Sequence, residues 1–393
     1  MKIAILGSGF IARFYADAMI AHRRKDVLTM VYSRSEANAK KFADDYKVPN
    51  FTTGIKDCVQ HEDVEVVIIA LSNDMHLEAV LACAAAGKHV LCTKPLGRNA
   101  QEALQMLQAV VKANVVGGYL EDLCYTPKFL KALASIKSGS IGEVIWTKSR
   151  ETHPGPHSDW FWDKEKSGGG AIIDLGCHCV EISRNYIGKN NKPVEVMCWA
   201  DTRVHPIEAE DNAIGLVKYE NGAIGQFEVS WTFRGGMDLR DEVMGTEGTI
   251  WINNFLRTGF EMFTSGKSGS YIAEKAESNT GWLFPVGDEV HELGYSHMFT
   301  NMLDAIENKS QPNENFHDGY IVNAILDAAC LSAKSKKWEP VQIADWRGVP
   351  EEKSERQMIS YDENYFLIKE EVLPSGEKKF IVKNKITGSI EKR

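Results

Sequence analysis

One short run constrains this chain more than any other. Gly7-x-Gly9-x-x-Ala12 sits between an apolar strand, Lys2–Leu6, and a helical pattern reaching about His22. A glycine-spaced turn from strand to helix inside a βαβ unit is a dinucleotide fingerprint. Gly7 permits the tight turn, Gly9 lets backbone approach a pyrophosphate, and Ala12 allows close helix–strand packing. Phe10 and Ile11 open the helix, whose unpaired N–H groups and dipole favour phosphate. A leader-peptide reading fails, because Gly7 and Gly9 interrupt the apolar run and Arg13 and Asp17 follow.

The same alternation continues. Val27–Tyr32 reads as a strand, and Ser33 with Glu36 has capping-box spacing before the next helix. Val64–Leu71 is a nearly continuous apolar strand, as expected where helices cover both faces. A helix over Leu77–Ala86 stops at Gly87, His89–Cys92 is the fourth strand, and Asn99 with Glu102 opens another capped helix before Val115–Leu120. This predicts an α/β fold whose residues 1–122 form a doubly wound parallel Rossmann sheet.

Beyond a helix over Pro127–Ile136 the texture changes. Val144–Arg150, Val194–Ala200, Ala213–Tyr219, Ala223–Trp231 and Thr249–Asn253 read as longer strands, with an Asn221-Gly222 hairpin turn between two of them. Residues 123–345 are therefore expected to form an α+β domain with a large open, mostly antiparallel sheet. Residues 346–393 are a charged extension with a hairpin turning at Pro374–Gly376.

Charge and cysteine usage narrow the function classes. Lys plus Arg number 45 against 54 Asp plus Glu, a net charge of −9, which argues against nucleic-acid partners. No apolar run approaches the ~18 residues of a membrane span. The eight cysteines include no CxxC pair and mostly lie in apolar segments, which suits buried thiols in a reducing compartment, with cytoplasm the expectation.

Three polar features carry chemistry. The second strand ends Val31-Tyr32-Ser33-Arg34 with no acid until Glu36. An acid there would bind ribose hydroxyls, so Ser33 and Arg34 lean from NAD towards NADP. Lys94, in Cys92-Thr93-Lys94-Pro95, stands at the carboxyl edge of the sheet, where a cationic nicotinamide ring would lower its pKa and suit it to proton transfer. Gly168-Gly169-Gly170 precedes Asp174 and His178, four residues apart and so on one helical face. That pair reads either as a proton-relaying site or as a capping Asp with a satisfied core His.

The combination resembles the Gfo/Idh/MocA oxidoreductase family over about residues 1–340. The resemblance implies an NAD(P)-binding first domain, a second domain whose sheet supports homo-oligomers (dimer or tetramer), and Lys94 and His178 as acid/base pair with Asp174 orienting. The family's Glu-Lys-Pro appears here as Thr93-Lys94-Pro95. It also implies cofactor contacts from Leu71, Ser72, Asn73 and His76, and from Glu121 near the nicotinamide.

Thr152–Asp163 is dense in aromatic and polar groups, which suits a carbohydrate substrate held by His153, His157, Trp160 and Trp162 together with Lys94, Asp174 and His178. His153, His157 and Asp159 also have metal-ligand chemistry, but hydride transfer needs no metal and none is expected. The expected activity is a dehydrogenase moving hydride between NAD(P) and a secondary hydroxyl of a sugar, polyol or glycoside, the C3 hydroxyl among the candidates. Alternatives are a glycosidase using transient C3 oxidation, for which a tightly bound cofactor would suit the closed redox cycle, and a non-catalytic sugar or cofactor sensor.

Overall fold

The computed structural model describes residues 1–255, 260–266, 268, 271–349 and 358–393. It divides into a unit over Met1–Gly348, which holds both large sheets, and a second over Val349–Arg393. Part of the expected extension, residues 350–357, lies outside the described residues.

The amino-terminal half alternates β1 (Lys2–Leu6), α1 (Phe10–His22), β2 (Val27–Tyr32), α2 (Glu36–Tyr46), β3 (Asn50–Thr52), α3 (Ile55–Gln60), β4 (Val66–Ile69), α4 (His76–Ala85), β5 (His89–Thr93), α5 (Ala100–Ala113) and β6 (Gly117–Leu120). The six strands form one parallel sheet in the order β3-β2-β1-β4-β5-β6. All four residues of β4 are buried, as its unbroken Val-Val-Ile-Ile requires of a strand covered on both faces. The chain leaves β1 for β2 on one side and returns to β4 on the other, so a crevice opens at the carboxyl ends of β1 and β4. Gly7 turns there at φ +122, and a Cβ on it would lie 2.2 Å from the Ala70 carbonyl oxygen, so only glycine fits.

Two expectations shift. β3 is an extra edge strand too short to show a pattern, so Lys94 follows the fifth parallel strand and not the fourth. The apolar run Val64–Leu71 pairs only over Val66–Ile69, its ends being spent on turns.

Past α6 (Pro127–Lys137) comes a seven-stranded sheet of β7 (Val144–Thr152), β8 (Pro193–Asp201), β9 (Asn212–Tyr219), β10 (Ile224–Ser230), β11 (Asp238–Gly245), β12 (Thr249–Asn253) and a short closing strand, Glu339–Pro340. Its pairings are antiparallel except β7 with β10. β11 had no sequence signal of its own, because Asp238, Arg240, Asp241 and Glu242 mask its alternation. Between β7 and β8 run three helices, α7 (Lys164–Ser167), α8 (Ala171–Asp174) and α9 (Gly176–Ile187). α10 (Glu289–Glu292), α11 (Tyr295–Glu307) and α12 (Phe316–Ser335) follow the sheet. α12 returns to the first half, where Asn323 Nδ2 donates to the Gly97 carbonyl at 2.7 Å and its Oδ1 accepts from the Gly97 N–H at 3.2 Å.

In the second unit, Tyr365–Val372, Lys378–Asn384 and Ile390–Lys392 form an antiparallel three-stranded sheet with Val382 buried. All eight cysteines are free thiols, seven of them buried. No described helix is long and apolar enough to cross a membrane.

Candidate active site

A cleft of about 800 Å³ begins at the crevice above β1 and β4 and runs to the second sheet. Its first end is lined by Gly7, Gly9, Phe10, Ile11, Ser33, Arg34, Leu71, Ser72 and Asn73. The residues there fit a dinucleotide. A Cβ at Gly9 would meet nothing within 4 Å, and α1 has no side-chain cap, so its first-turn N–H groups face the opening. Ser8 Oγ donates to Ser33 Oγ at 2.9 Å, and Arg34 stands on the rim. Asn73 Nδ2 donates to the Ser167 carbonyl at 2.8 Å, tying this end to α7.

The other end collects the titratable groups. Lys94 Nζ donates to Asp174 Oδ1 and to the Asp174 carbonyl, both at 3.0 Å, while Trp231 Nε1 donates to Asp174 Oδ2 at 3.0 Å. Asp174 is thus gripped from two sides. α8 ends at this residue and α9 starts at Gly176, so Asp174 and His178 belong to successive helices and do not bond to each other. The glycine run seats this junction, since a Cβ on Gly170 would lie 1.9 Å from the Glu210 carbonyl oxygen. His178 Nδ1 makes a short hydrogen bond with Glu121, which is fully buried behind it. That leaves Nε2 towards the cleft and 4.0 Å from Glu151 Oε2.

Electrostatics follow from this enclosure. Burial lowers the Lys94 ammonium, but Asp174, Cys177 and Glu151 outweigh it and hold Lys94 well above its ordinary range. The protein groups alone thus favour the ammonium form, and the expected fall belongs to a bound cationic nicotinamide ring. Burial pulls His178 below its ordinary range against the opposing pull of Glu151. Burial lifts Glu121 to about 8, Asp122 to about 7 and Glu151 to about 7, each against nearby cationic groups. Three acids poised near neutrality around one imidazole are what a proton-handling site needs.

Three expected contacts fall elsewhere. Glu121 does not line the cleft, because it sits behind His178 and reaches the cofactor end only through it. His76 is fully buried, its ring bonded to the carbonyls of Pro95, Leu96 and Leu71 at 3.1–3.2 Å, so it braces the Lys94-Pro95 turn and touches no ligand space. The Lys94–Pro95 peptide is cis. Trp162 packs on Trp231 and His205 away from the cleft. His153, His157 and Trp160 do line it. His153 accepts a hydrogen bond from the Gly155 N–H, and burial pulls it down to about 3. His157 packs against Phe10 with the rings tilted and their centroids 4.9 Å apart, and faces Glu274 at 3.6 Å.

His153, His157 and Asp159 do not converge as ligands. The potential ligand groups among the described residues are Glu121, Cys177 and His178, and Glu181, Glu314 and Asp318. In the first, Cys177 Sγ donates to the Asp174 carbonyl and His178 Nδ1 is bonded to Glu121, and the second holds the Lys189 ammonium.

Sequence reasoning missed Glu151, Asp122, Tyr15, Trp231 and Lys275. Glu151 had a usable signal: Thr147, Ser149 and Glu151 share the buried face of β7, and an acid on such a face calls for a reason. Tyr15 had none, yet its hydroxyl pairs at 2.8 Å with Oγ1 of Thr93, the residue standing where the family pattern has a glutamate.

Comparison with known proteins gives the same direction. A model of the oxidoreductase family's NAD-binding Rossmann fold matches residues 1–119, and one of the GFO/IDH/MocA C-terminal domain matches residues 129–251. Together they take in more than half of the chain. Levoglucosan dehydrogenase of Pseudarthrobacter phenanthrenivorans is 25% identical over 389 residues, spanning 87% of this chain and 98% of that one. The 1,5-anhydro-D-fructose reductase of Ensifer adhaerens is 27% identical over 322 residues, 80% of this chain and 91% of its own. Among solved structures, GenD2 from gentamicin A biosynthesis, in complex with NAD, superimposes with a TM-score of 0.82 at 29% identity, covering 87% of this chain and 97% of that one. Levoglucosan dehydrogenase with NADH, at 24% identity and a TM-score of 0.76, has the same fold.

Proposed function

Because the chain belongs to the GFO/IDH/MocA family of NAD(P)-dependent oxidoreductases, we propose that it oxidises a secondary hydroxyl of a sugar, polyol or glycoside. The observation that carries this reading is the pairing at the cleft floor: Lys94 clamped by Asp174, and His178 backed by Glu121, both beside the space that begins at the glycine turn. The relatives named above act on an anhydrosugar and an anhydrofructose, which supports a carbohydrate substrate.

When bound, the nicotinamide supplies the hydride acceptor. Lys94, a cation under Asp174's influence, donates a hydrogen bond to the substrate oxygen and stabilises the negative charge that develops there. His178 takes the hydroxyl proton at Nε2. It does so when Nδ1–H donates to an ionised Glu121, since that tautomer leaves the Nε2 lone pair free. Asp174 positions Lys94 and is itself fixed by Trp231. His76, holding the carbonyls after Lys94, is a positioning residue.

The test is a screen of sugars and polyols, levoglucosan and myo-inositol among them, with NAD+ and with NADP+, read at the nicotinamide absorbance. Turnover abolished in Lys94→Met, with cofactor binding kept, is the expected result. Turnover of none of these alcohols by the wild type, or unchanged turnover in the variant, would overturn the reading.

A further inference from the structure

Glu151 is an acid of the cleft floor that the proposed chemistry leaves unused. It lies near the end of β7, on the buried side, with its carboxylate lining the cleft. Oε2 is buried and has no hydrogen-bond partner among the described residues. The basic nitrogen that comes closest, His178 Nε2, is 4.0 Å away, too far for a direct bond. A buried carboxylate oxygen left open is costly, and such exceptions in a native structure call for a ligand or a function.

The spacing says what kind of group completes it. With Nε2 and Oε2 4.0 Å apart, a substrate oxygen placed about 2.8 Å from Nε2, the ordinary hydrogen-bond length, would stand beside Glu151 and bring a hydroxyl on the adjacent carbon within its reach. The missing partner must be a donor. An ammonium is disfavoured, because Lys94 and Lys275 already stand close enough to feel the Glu151 charge. A neutral hydroxyl fits. Resting on the reading that the substrate is a sugar or polyol, we propose that Glu151 touches the substrate and accepts a hydrogen bond from the hydroxyl next to the one oxidised, so that the site selects vicinal diols. A site built to bond a hydroxyl discriminates strongly against an analogue lacking it, because its own polar group is then left unpaired.

The experiment compares wild type with Glu151→Gln on levoglucosan and myo-inositol, each against an analogue lacking one hydroxyl beside the oxidised carbon, in the full-length protein with its preferred cofactor. The wild type is expected to favour the diol over the deoxy analogue, and the variant to shrink that ratio of kcat/KM at least ~30-fold. The variant's thermal midpoint is expected to equal or exceed the wild type's, since an unpartnered buried charge has been removed. An unchanged ratio, or an equal loss on both substrates with a lowered midpoint, would overturn the assignment and leave the dehydrogenase reading standing. A wild type oxidising neither sugar would overturn both.

Discussion

Helix α9 carries two buried ionic clusters, and they are built on opposite plans. Around Glu181 and Arg184, the charges close on one another. Lys189 Nζ lies 3.0 Å from Glu181, 2.8 Å from Glu314 and 3.2 Å from Asp318, and Arg184 reaches Glu181 and Asp318. Burial raises Glu314 well above its usual range, with the neighbouring Glu181 charge pushing the same way and Lys189 opposing. Around His178, less than a turn before Glu181, the cluster stays open on its cleft side: Glu151 lines the cleft and its Oε2 has neither a hydrogen bond nor an ammonium within 4.0 Å among the described residues, whereas Glu314 Oε2, also without a hydrogen bond, lies 2.8 Å from Lys189. A cluster that satisfies itself serves the fold, whereas one left incomplete at a cleft is a candidate for chemistry. The difference would be invisible from charge counts alone.

Substitutions should separate the two. The largest effect is expected at Lys94→Met, with kcat falling ~10³-fold or more, as for loss of a group that stabilises the charge developing on the substrate oxygen, while cofactor binding followed by fluorescence changes little. A comparable loss of cofactor affinity would show that Lys94 belongs to the binding end instead. Arg184→Met should do the reverse. Taking Arg184 from Glu181 and Asp318, so that Lys189 faces them alone, is expected to cost about 3–5 kcal/mol of stability by denaturant titration, with kcat of the folded fraction nearly unchanged. A variant of full stability and poor kcat would erase the contrast.

The pH dependence sharpens it further. Glu121 is protonated below about 8 and ionised above, and only the ionised form leaves His178 Nε2 free to accept a proton. Alcohol oxidation should therefore climb with pH to a plateau above about 8, and Glu121→Gln should remove that limb. The stability sign is opposite. Because the folded protein holds a proton on Glu121 that the unfolded chain releases near ~4.3, stability from this group is full below that pH and is lost as pH rises through about 8. Melting midpoints of wild type and variant should diverge in that direction. The smallest effect is expected at Arg34→Ala: kcat/KM with NADP falls about tenfold while that with NAD barely moves, if the rim arginine meets a 2′-phosphate. Equal effects on both cofactors would remove the preference.

Much of this was legible from residues alone, for reasons that differ by element. β1, the glycine turn and β4 were readable because a strand buried on both faces must be apolar and a positive φ must be glycine. Lys94, Asp174 and His178 were found through spacing and family pattern. Their partners were not, because Glu121, Glu151 and Trp231 lie 57, 27 and 53 residues from His178 and meet it or Asp174 only after two sheets have packed. His76 illustrates the limit from the other side. Its place in the first turn of a helix at the crevice fits a ligand contact, and only the carbonyls of Leu71, Pro95 and Leu96 around the ring reveal that it is spoken for.

The closed back of His178 has an isotopic consequence. With Glu121 buried behind Nδ1, a proton arriving at Nε2 leaves only by the cleft and exchanges with solvent there, whereas the hydrogen carried as hydride never visits an exchangeable atom. In deuterium oxide, simple oxidation and its reversal should leave every carbon of the recovered alcohol unlabelled. Cleavage through transient oxidation would instead place deuterium on the carbon beside the ketone, so a single mass spectrum separates the two chemistries.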